Sequence, residues 1–238
     1  MPRDQLVPKA KAGRLAGAAG MPRKNRERTG NRGSSSFGIA ENDLPAIMPA
    51  TRRLHRYTYA DYVALELQSS TKHEFLDGQI YAMIRGSEEH SALSAEVLRM
   101  FSKAAADGLL HVYSSHLRIY VAAVGLATFP DGCVVRGAFE HHSPSPRPTG
   151  LNPMVLLEVT SDSSQEYDTG LKLEWYQTIP TLREYVVVSH RERSITVHAR
   201  PERGAWRTRV GRAGGRVGVA SLKMDLVVDE VYRKISLA

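Results

Sequence analysis

The chain has 238 residues, 42% hydrophobic and 24% charged, the balance of an ordinary globular protein, which excludes a collagen-like, wholly disordered or membrane-bundle chain. Its single cysteine, Cys133, excludes an internal disulfide and a zinc cluster built on cysteine pairs, and it suits a reducing cytoplasm. The formal charge of +7 is unevenly placed, with a net +5 on residues 1–50 and only +2 on residues 51–238, so the body is not a generally basic surface.

Residues 1–55 read as a disordered basic segment, rich in Gly, Pro, Ser and Arg over Met21–Ser36. They lack the apolar core of a secretory signal, and no stretch of the chain reaches the 18 or more apolar residues of a spanning helix. Three origins compete: a nucleic-acid-touching arm, an Arg-rich targeting segment, and an upstream start with Met21 or Met48 as the true first residue. The last ranks first because nothing in the segment periodically buries anything. A single folded domain is expected over 56–238.

Within it, Thr58 and Asp61 form a capping-box-like start to a short helix through Tyr62, Val63 and Leu67. Segments 72–76 and 79–84 flank Asp77-Gly78, the favoured dipeptide of a two-residue hairpin. Ser87, followed by Glu88 and Glu89, starts a helix whose apolar face is Leu93, Val97, Met100 and Phe101. Strands are expected at 111–113, 117–121, 131–135 and 154–159, then a helix over 169–178, then strands at 184–189, 194–199 and 205–210. Gly211–Gly218 lacks the Gly-Lys-Ser/Thr end of a phosphate loop and reads as a hairpin turn. The order predicts an α+β chain with a central mixed sheet flanked by helices.

The run Pro153–Val159 is long and β-branched enough for a strand buried on both faces. A carboxylate at its end, Glu158, must therefore meet a cation, a metal ion or a proton. Asp131 opens another strand after Pro130. Asp168 is placed at a helix N-terminus, with Lys172 and Tyr176 at successive four-residue steps on one face. Read singly, Asp131 is a turn residue, Asp168/Lys172 is a cap plus an exposed ion pair contributing about 0.2–0.5 kcal/mol, and Glu158 is a salt-bridge partner. Together, two carboxylates at neighbouring strand ends plus a lysine are the parts of a metal-dependent phosphodiesterase site, since hard oxygen ligands suit Mg²⁺. Glu74 reads as a half-exposed strand glutamate, and His90 as a core histidine on the Leu93/Val97 face. His141 and His142 sit in a long Pro/Ser/His segment, 136–152, that reads as a mobile loop.

The ordered series Glu74-Phe-Leu-Asp77-Gly78, His90, Pro130-Asp131, Leu157-Glu158-Val159, Tyr167-Asp168, Lys172, Tyr176 and Pro180 to Glu184-Tyr185 resembles the Uma-two family of restriction-endonuclease-like proteins in the PD-(D/E)XK nuclease superfamily. The resemblance spans roughly residues 57–235. It implies a restriction-endonuclease-like core, with Asp131 and Glu158 as metal ligands for Mg²⁺, which Mn²⁺ can replace, and Lys172 as the active-site lysine. Glu74, His90, Asp168 and Tyr176 are additional candidates. The superfamily's usual lysine stands two residues after the glutamate, where this chain has Thr160, and the resemblance moves it onto the next helix. The implied function is Mg²⁺-dependent endonucleolytic hydrolysis of DNA in the cytoplasm, with DNA as partner, no membrane, and a homodimer as an open arrangement. The alternative is a nucleic-acid-binding or assembly protein that keeps the fold without useful turnover.

Overall fold

A computed structural model of the chain describes residues 56–83, 86–106, 108–142 and 148–237. The expectations for the basic segment over 1–55 and for the middle of the Pro/Ser/His segment, 143–147, lie outside the described residues. Helix α1 (Tyr59–Gln68) begins where Thr58 Oγ1 accepts the Asp61 N–H at 3.1 Å and the Asp61 carboxylate accepts the Thr58 N–H at 2.8 Å, a reciprocal cap. Strands β1 (His73–Leu76) and β2 (Gln79–Ala82) pair across Asp77 (φ 45°) and Gly78 (φ 80°), and two left-handed residues in succession are what a tight hairpin needs. Helix α2 (Glu88–Ala104) starts at Ser87, whose hydroxyl accepts the His90 N–H, and buries Leu93, Val97 and Phe101.

Strands β3 (Leu110–Ser114), β4 (Arg118–Val121), β5 (Leu126–Thr128), β6 (Gly132–Arg136), β7 (Thr149–Gly150) and β8 (Pro153–Val159) follow. Helices α3 (Gln165–Thr169) and α4 (Leu171–Tyr176) lead to β9 (Glu184–Val188), β10 (Ser194–Ala199) and β11 (Arg207–Arg212), and the chain closes with β12 (Arg216–Val219), β13 (Met224–Val227) and α5 (Val228–Val231). The central sheet has six strands in the order β11-β10-β9-β8-β6-β3, and it is mixed because β8 and β9 alone run parallel. A parallel pair requires a crossover, and α3 and α4 form it.

The two faces of β8 differ. Val155, Leu157 and Val159 enter a core made with α2, β12, β13 and α5, whereas Leu156 enters a second core with Cys133, Tyr176, Leu182 and Tyr185. A five-stranded sheet, β2-β1-β5-β4-β7, carries α1 through Tyr62, Val63, Phe75 and Ala127. This second sheet, the β12-β13 hairpin and α5 go beyond the sequence expectation of one sheet flanked by helices. The α+β class stands. No helix among the described residues is long and apolar enough to cross a membrane.

The helix expected over 169–178 is two short helices. They meet at Gly170, where a Cβ would lie 2.8 Å from the Glu166 carbonyl oxygen, so the chain pinches at a residue without one. Asp168 therefore lies one residue before the end of α3 instead of capping a helix, and Lys172 sits in the first turn of α4.

Candidate active site

Extending the β6·β8 register by one pair, from Gly132↔Leu157, sets Asp131 directly opposite Glu158. Residues opposite one another in an antiparallel pair share a face and have Cβ atoms about 4.5–5.5 Å apart, and like charges there repel. The backbone fixes Asp131 further, since Val159 N–H donates to its Oδ2 at 2.8 Å. His90 Nε2, from the start of α2, lies 3.0 Å from the same oxygen. His90 is thus held at the carboxylate and is not the enclosed core histidine that its spacing suggested. Its side chain is 18% exposed and that of Asp131 15%, the more open half of the cluster.

The other half is enclosed. Lys172 Nζ lies 2.8 Å from Glu158 Oε1 and 3.3 Å from Asp168 Oδ1, and none of the three residues is more than 5% exposed. The reading of Asp168 and Lys172 as an exposed helix pair is therefore corrected: α3 and α4 turn both inward, where an unpaired charge would be prohibitively costly. Tyr176 donates to Glu158 Oε1 at 2.9 Å, and Tyr185 donates to the Asp168 carbonyl at 3.1 Å. Glu74 is likewise buried on β1, not half-exposed, because Tyr167 of α3 reaches across to donate to its carboxylate.

Burial pushes the Glu158 carboxyl up to about 8, opposed by the charge of Lys172 and reinforced by Asp168 and Asp131. Burial works against the Lys172 ammonium, but Glu158, Asp168 and Glu74 outweigh it and hold its pKa well above the ordinary range. Burial also opposes the charged form of His90, which Asp131 and Glu158 nonetheless raise above its usual value. All three shifts report one condition, an excess of negative charge in a poorly solvated space.

The donor set is suited to a divalent cation. Both protein bonds to Asp131 land on Oδ2 and both to Glu158 on Oε1, so Asp131 Oδ1 and Glu158 Oε2 have no protein partner among the described residues. Among those residues no group of three or more His, Cys, Asp and Glu is arranged around one point. Mg²⁺ does not need one, as it is commonly held by one or two carboxylates, waters and substrate phosphates.

The sequence reading gave no contact to three neighbours. Lys72 donates to the Ser115 carbonyl at 2.5 Å, and burial lowers its pKa against the pull of Asp131. Its signal was the alternation Lys72, Glu74 at the start of β1. Tyr167 was passed over as a motif letter and is the donor that makes a buried Glu74 tolerable. Thr160 stands where the superfamily's lysine is usual, and its hydroxyl bonds His190 Nδ1 at 2.8 Å while His190 Nε2 meets Asp162 at 2.9 Å. The cation at Glu158 comes instead from α4.

A family model described as "Uma2: Putative restriction endonuclease" matches residues 59–226. The uncharacterized protein slr1290 of Synechocystis sp. (strain ATCC 27184 / PCC 6803 / Kazusa) is 30% identical over 176 residues, 74% of this chain and 91% of its own length. A second uncharacterized protein of that organism, sll1609, is 28% identical over 131 residues, 55% of this chain and 73% of its own. In three dimensions the chain is similar to a crystal structure from Anabaena variabilis titled a putative nuclease belonging to DUF820, with a TM-score of 0.57 and 17% identity, covering 72% of this chain and 97% of that one.

Proposed function

The chain belongs to the Uma2 restriction-endonuclease-like family, and on that premise we propose that it is a Mg²⁺-dependent endonuclease that hydrolyses phosphodiester bonds in DNA, with Mn²⁺ able to substitute. The observation that carries this reading is the pair of cross-strand carboxylates, each with one oxygen held by the protein and one without a protein partner, beside a fully buried lysine. Asp131 and Glu158 would hold the ion, which when bound would supply Lewis-acid polarisation of a phosphate and acidify water.

The remaining chemistry belongs to the chain. An ammonium has three donors. Glu158 and Asp168 take two of those on Lys172, leaving one to stabilise negative charge that develops on the phosphate. Tyr176 and Asp168 hold Glu158 and Lys172 in place. His90, on the more exposed side, would keep Asp131 oriented and pass a proton to or from water. The phosphate would enter from that side, because Asp131 and His90 are more open than Glu158 and Lys172. The single, buried thiol Cys133 agrees with a cytoplasmic setting.

The test is incubation of purified protein with plasmid, linear and branched DNA in Mg²⁺, Mn²⁺ or EDTA, together with a thermal melt in each. Wild type should cut in either metal and not in EDTA, and the metal should raise its melting temperature by mass action. Asp131→Asn and Glu158→Gln should lose both effects while staying folded. No cleavage of any substrate, with a metal response that survives in both variants, would overturn the reading.

A further inference from the structure

Helices α3 and α4 cover β8 and β9 on the side of the sheet that bears Glu158, but the same face continues past them. Tyr185 connects the two regions: its hydroxyl meets Asp168, its ring packs edge-on to Tyr176 at 5.1 Å, and His198 of β10 stacks on it at 6.0 Å with an interplanar angle of 23°. From His198 outward the face opens toward β11: Thr208 and Val210 are exposed, whereas Arg200 and Trp206 are half-buried, Trp206 packing against the core that holds Ile179 and Leu182.

Residues 183–216 contain nine arginines, no lysine and three acidic residues; Arg191, Arg193, Arg209, Arg212 and Arg216 are paired with carboxylates, so the excess positive charge gathers at the Arg183 and Arg200 end of the sheet. Arg183 and Arg200 carry the β9·β10 pairing one step beyond Glu184↔Ala199, since the Arg200 N–H donates to the Arg183 carbonyl at 2.8 Å. That sets two arginines directly opposite one another, an arrangement that is destabilising without an anion. Arg200 donates to the Gln177 and Pro180 carbonyls and lies over the Trp206 ring at 4.9 Å. Arg183, Arg203 and Arg207 have no carboxylate partner among the described residues. Burial and the charge of Arg183 both lower the pKa of Arg200, consistent with an uncompensated cluster. Protection of a sheet edge by charge would explain arginines on β11. It does not explain Arg183, which extends β9, two strands in from that edge.

We propose that this outer face is a platform for a single nucleic-acid strand, with a base stacked against the exposed part of Trp206 and backbone phosphates held by Arg183, Arg200 and Arg203. Sequence-tolerant strand binding combines these two elements, an aromatic surface and a cationic track. The platform rests on the nuclease reading for its purpose: Arg183 lies four residues along β9 from Val187, the partner of Glu158, or about 13 Å at 3.3 Å per residue. Tyr176 of α4 closes the direct path over Tyr185, so a strand seated there would cross the outside of α4 and reach the carboxylates from the open side of Asp131 and His90.

The experiment is fluorescence anisotropy of a labelled oligothymidylate with the full chain in EDTA, so that cleavage plays no part, across a salt series. Arg183→Ala/Arg203→Ala, both at exposed positions, should weaken binding at least tenfold and lower the magnitude of the salt slope by about 1.4, the share of two phosphates on a single strand. Trp206→Ala should weaken binding about tenfold with an unchanged slope, and Lys223→Glu, on a different surface, should change binding less than twofold. Wild-type affinity and slope in the double variant would overturn the proposal, as would tighter binding of a duplex of the same length than of the single strand. Failure of the nuclease reading looks different: oligonucleotide binding sensitive to Arg183 and Arg203 in a protein that cuts nothing in Mg²⁺ or Mn²⁺.

Discussion

Strand β8 presents two faces to two kinds of surroundings. Toward α2 it places Val155, Leu157 and Val159 among aliphatic side chains, where any group of similar volume could serve. Toward α4 it places Leu156 and then Glu158, whose neighbours are a lysine, a tyrosine and an opposed aspartate. The first face is held by area removed from water. The second is held by a few directional bonds that compensate charges the fold has taken out of solvent, so its members stand or fall as a set.

Removing the cation is the strongest way to break that contrast. Lys172→Met leaves Glu158 and Asp168 enclosed without a counter-charge, and denaturant unfolding should show a loss of ~3–5 kcal/mol, together with a fall in cleavage of several orders of magnitude. Wild-type stability in this variant would mean that the ammonium is not the compensating charge. On the opposite face, Leu157→Ala should cost about 3 kcal/mol through transfer and cavity terms and leave the metal-induced rise in melting temperature intact. A metal response lost along with Leu157 would show that the two faces are not separable.

The smallest effect concerns protons. Folding raises the Glu158 pKa from 4.5 to about 8, so the native state favours its protonated form. The stability this group contributes is complete below about pH 4.5 and is lost as pH rises through 8, with a slope that for one proton cannot exceed about 1.4 kcal/mol per pH unit. Glu158→Gln should flatten melting temperature against pH across that window. In wild type, stabilisation by Mn²⁺ should grow over the same range, as the proton that competes for the carboxylate departs. A Glu158→Gln profile parallel to that of wild type would remove Glu158 as the titrating group.

Local chemistry was legible wherever a few consecutive residues decide the outcome. Thr58 and Asp61 cap α1, Asp77-Gly78 turns the hairpin, and Leu93, Val97 and Phe101 mark the buried stripe of α2. The reading of one helix over 169–178 missed the break because Gly170 interrupts a pattern whose neighbours on both sides are helical. The five-stranded sheet was missed because β5 and β7 have three and two residues, too few for alternation to register. In the site, the burial of Glu158 followed from its strand, but Lys172 could be nominated only as a residue type, and its burial could not be foreseen. Whether Asp168 is exposed depends on the side to which α3 packs, and the enclosure of Glu74 depends on Tyr167, 93 residues away. His90 followed an apolar spacing and still ends at a carboxylate, because the register of β6 brings Asp131 to the start of α2.

Cys133 lies two residues beyond Asp131 on β6, 1% exposed in the core that faces the site, and burial pushes its thiol up to about 12. At neutral pH about one molecule in 10⁵ carries the reactive thiolate, and a reagent would still have to reach it between two sheets. Alkylation can therefore proceed only when β6 leaves its place. With no second thiol in the chain, the rate of labelling counts those departures, giving a clock, without any engineered probe, for how often the strand leading out of Asp131 opens.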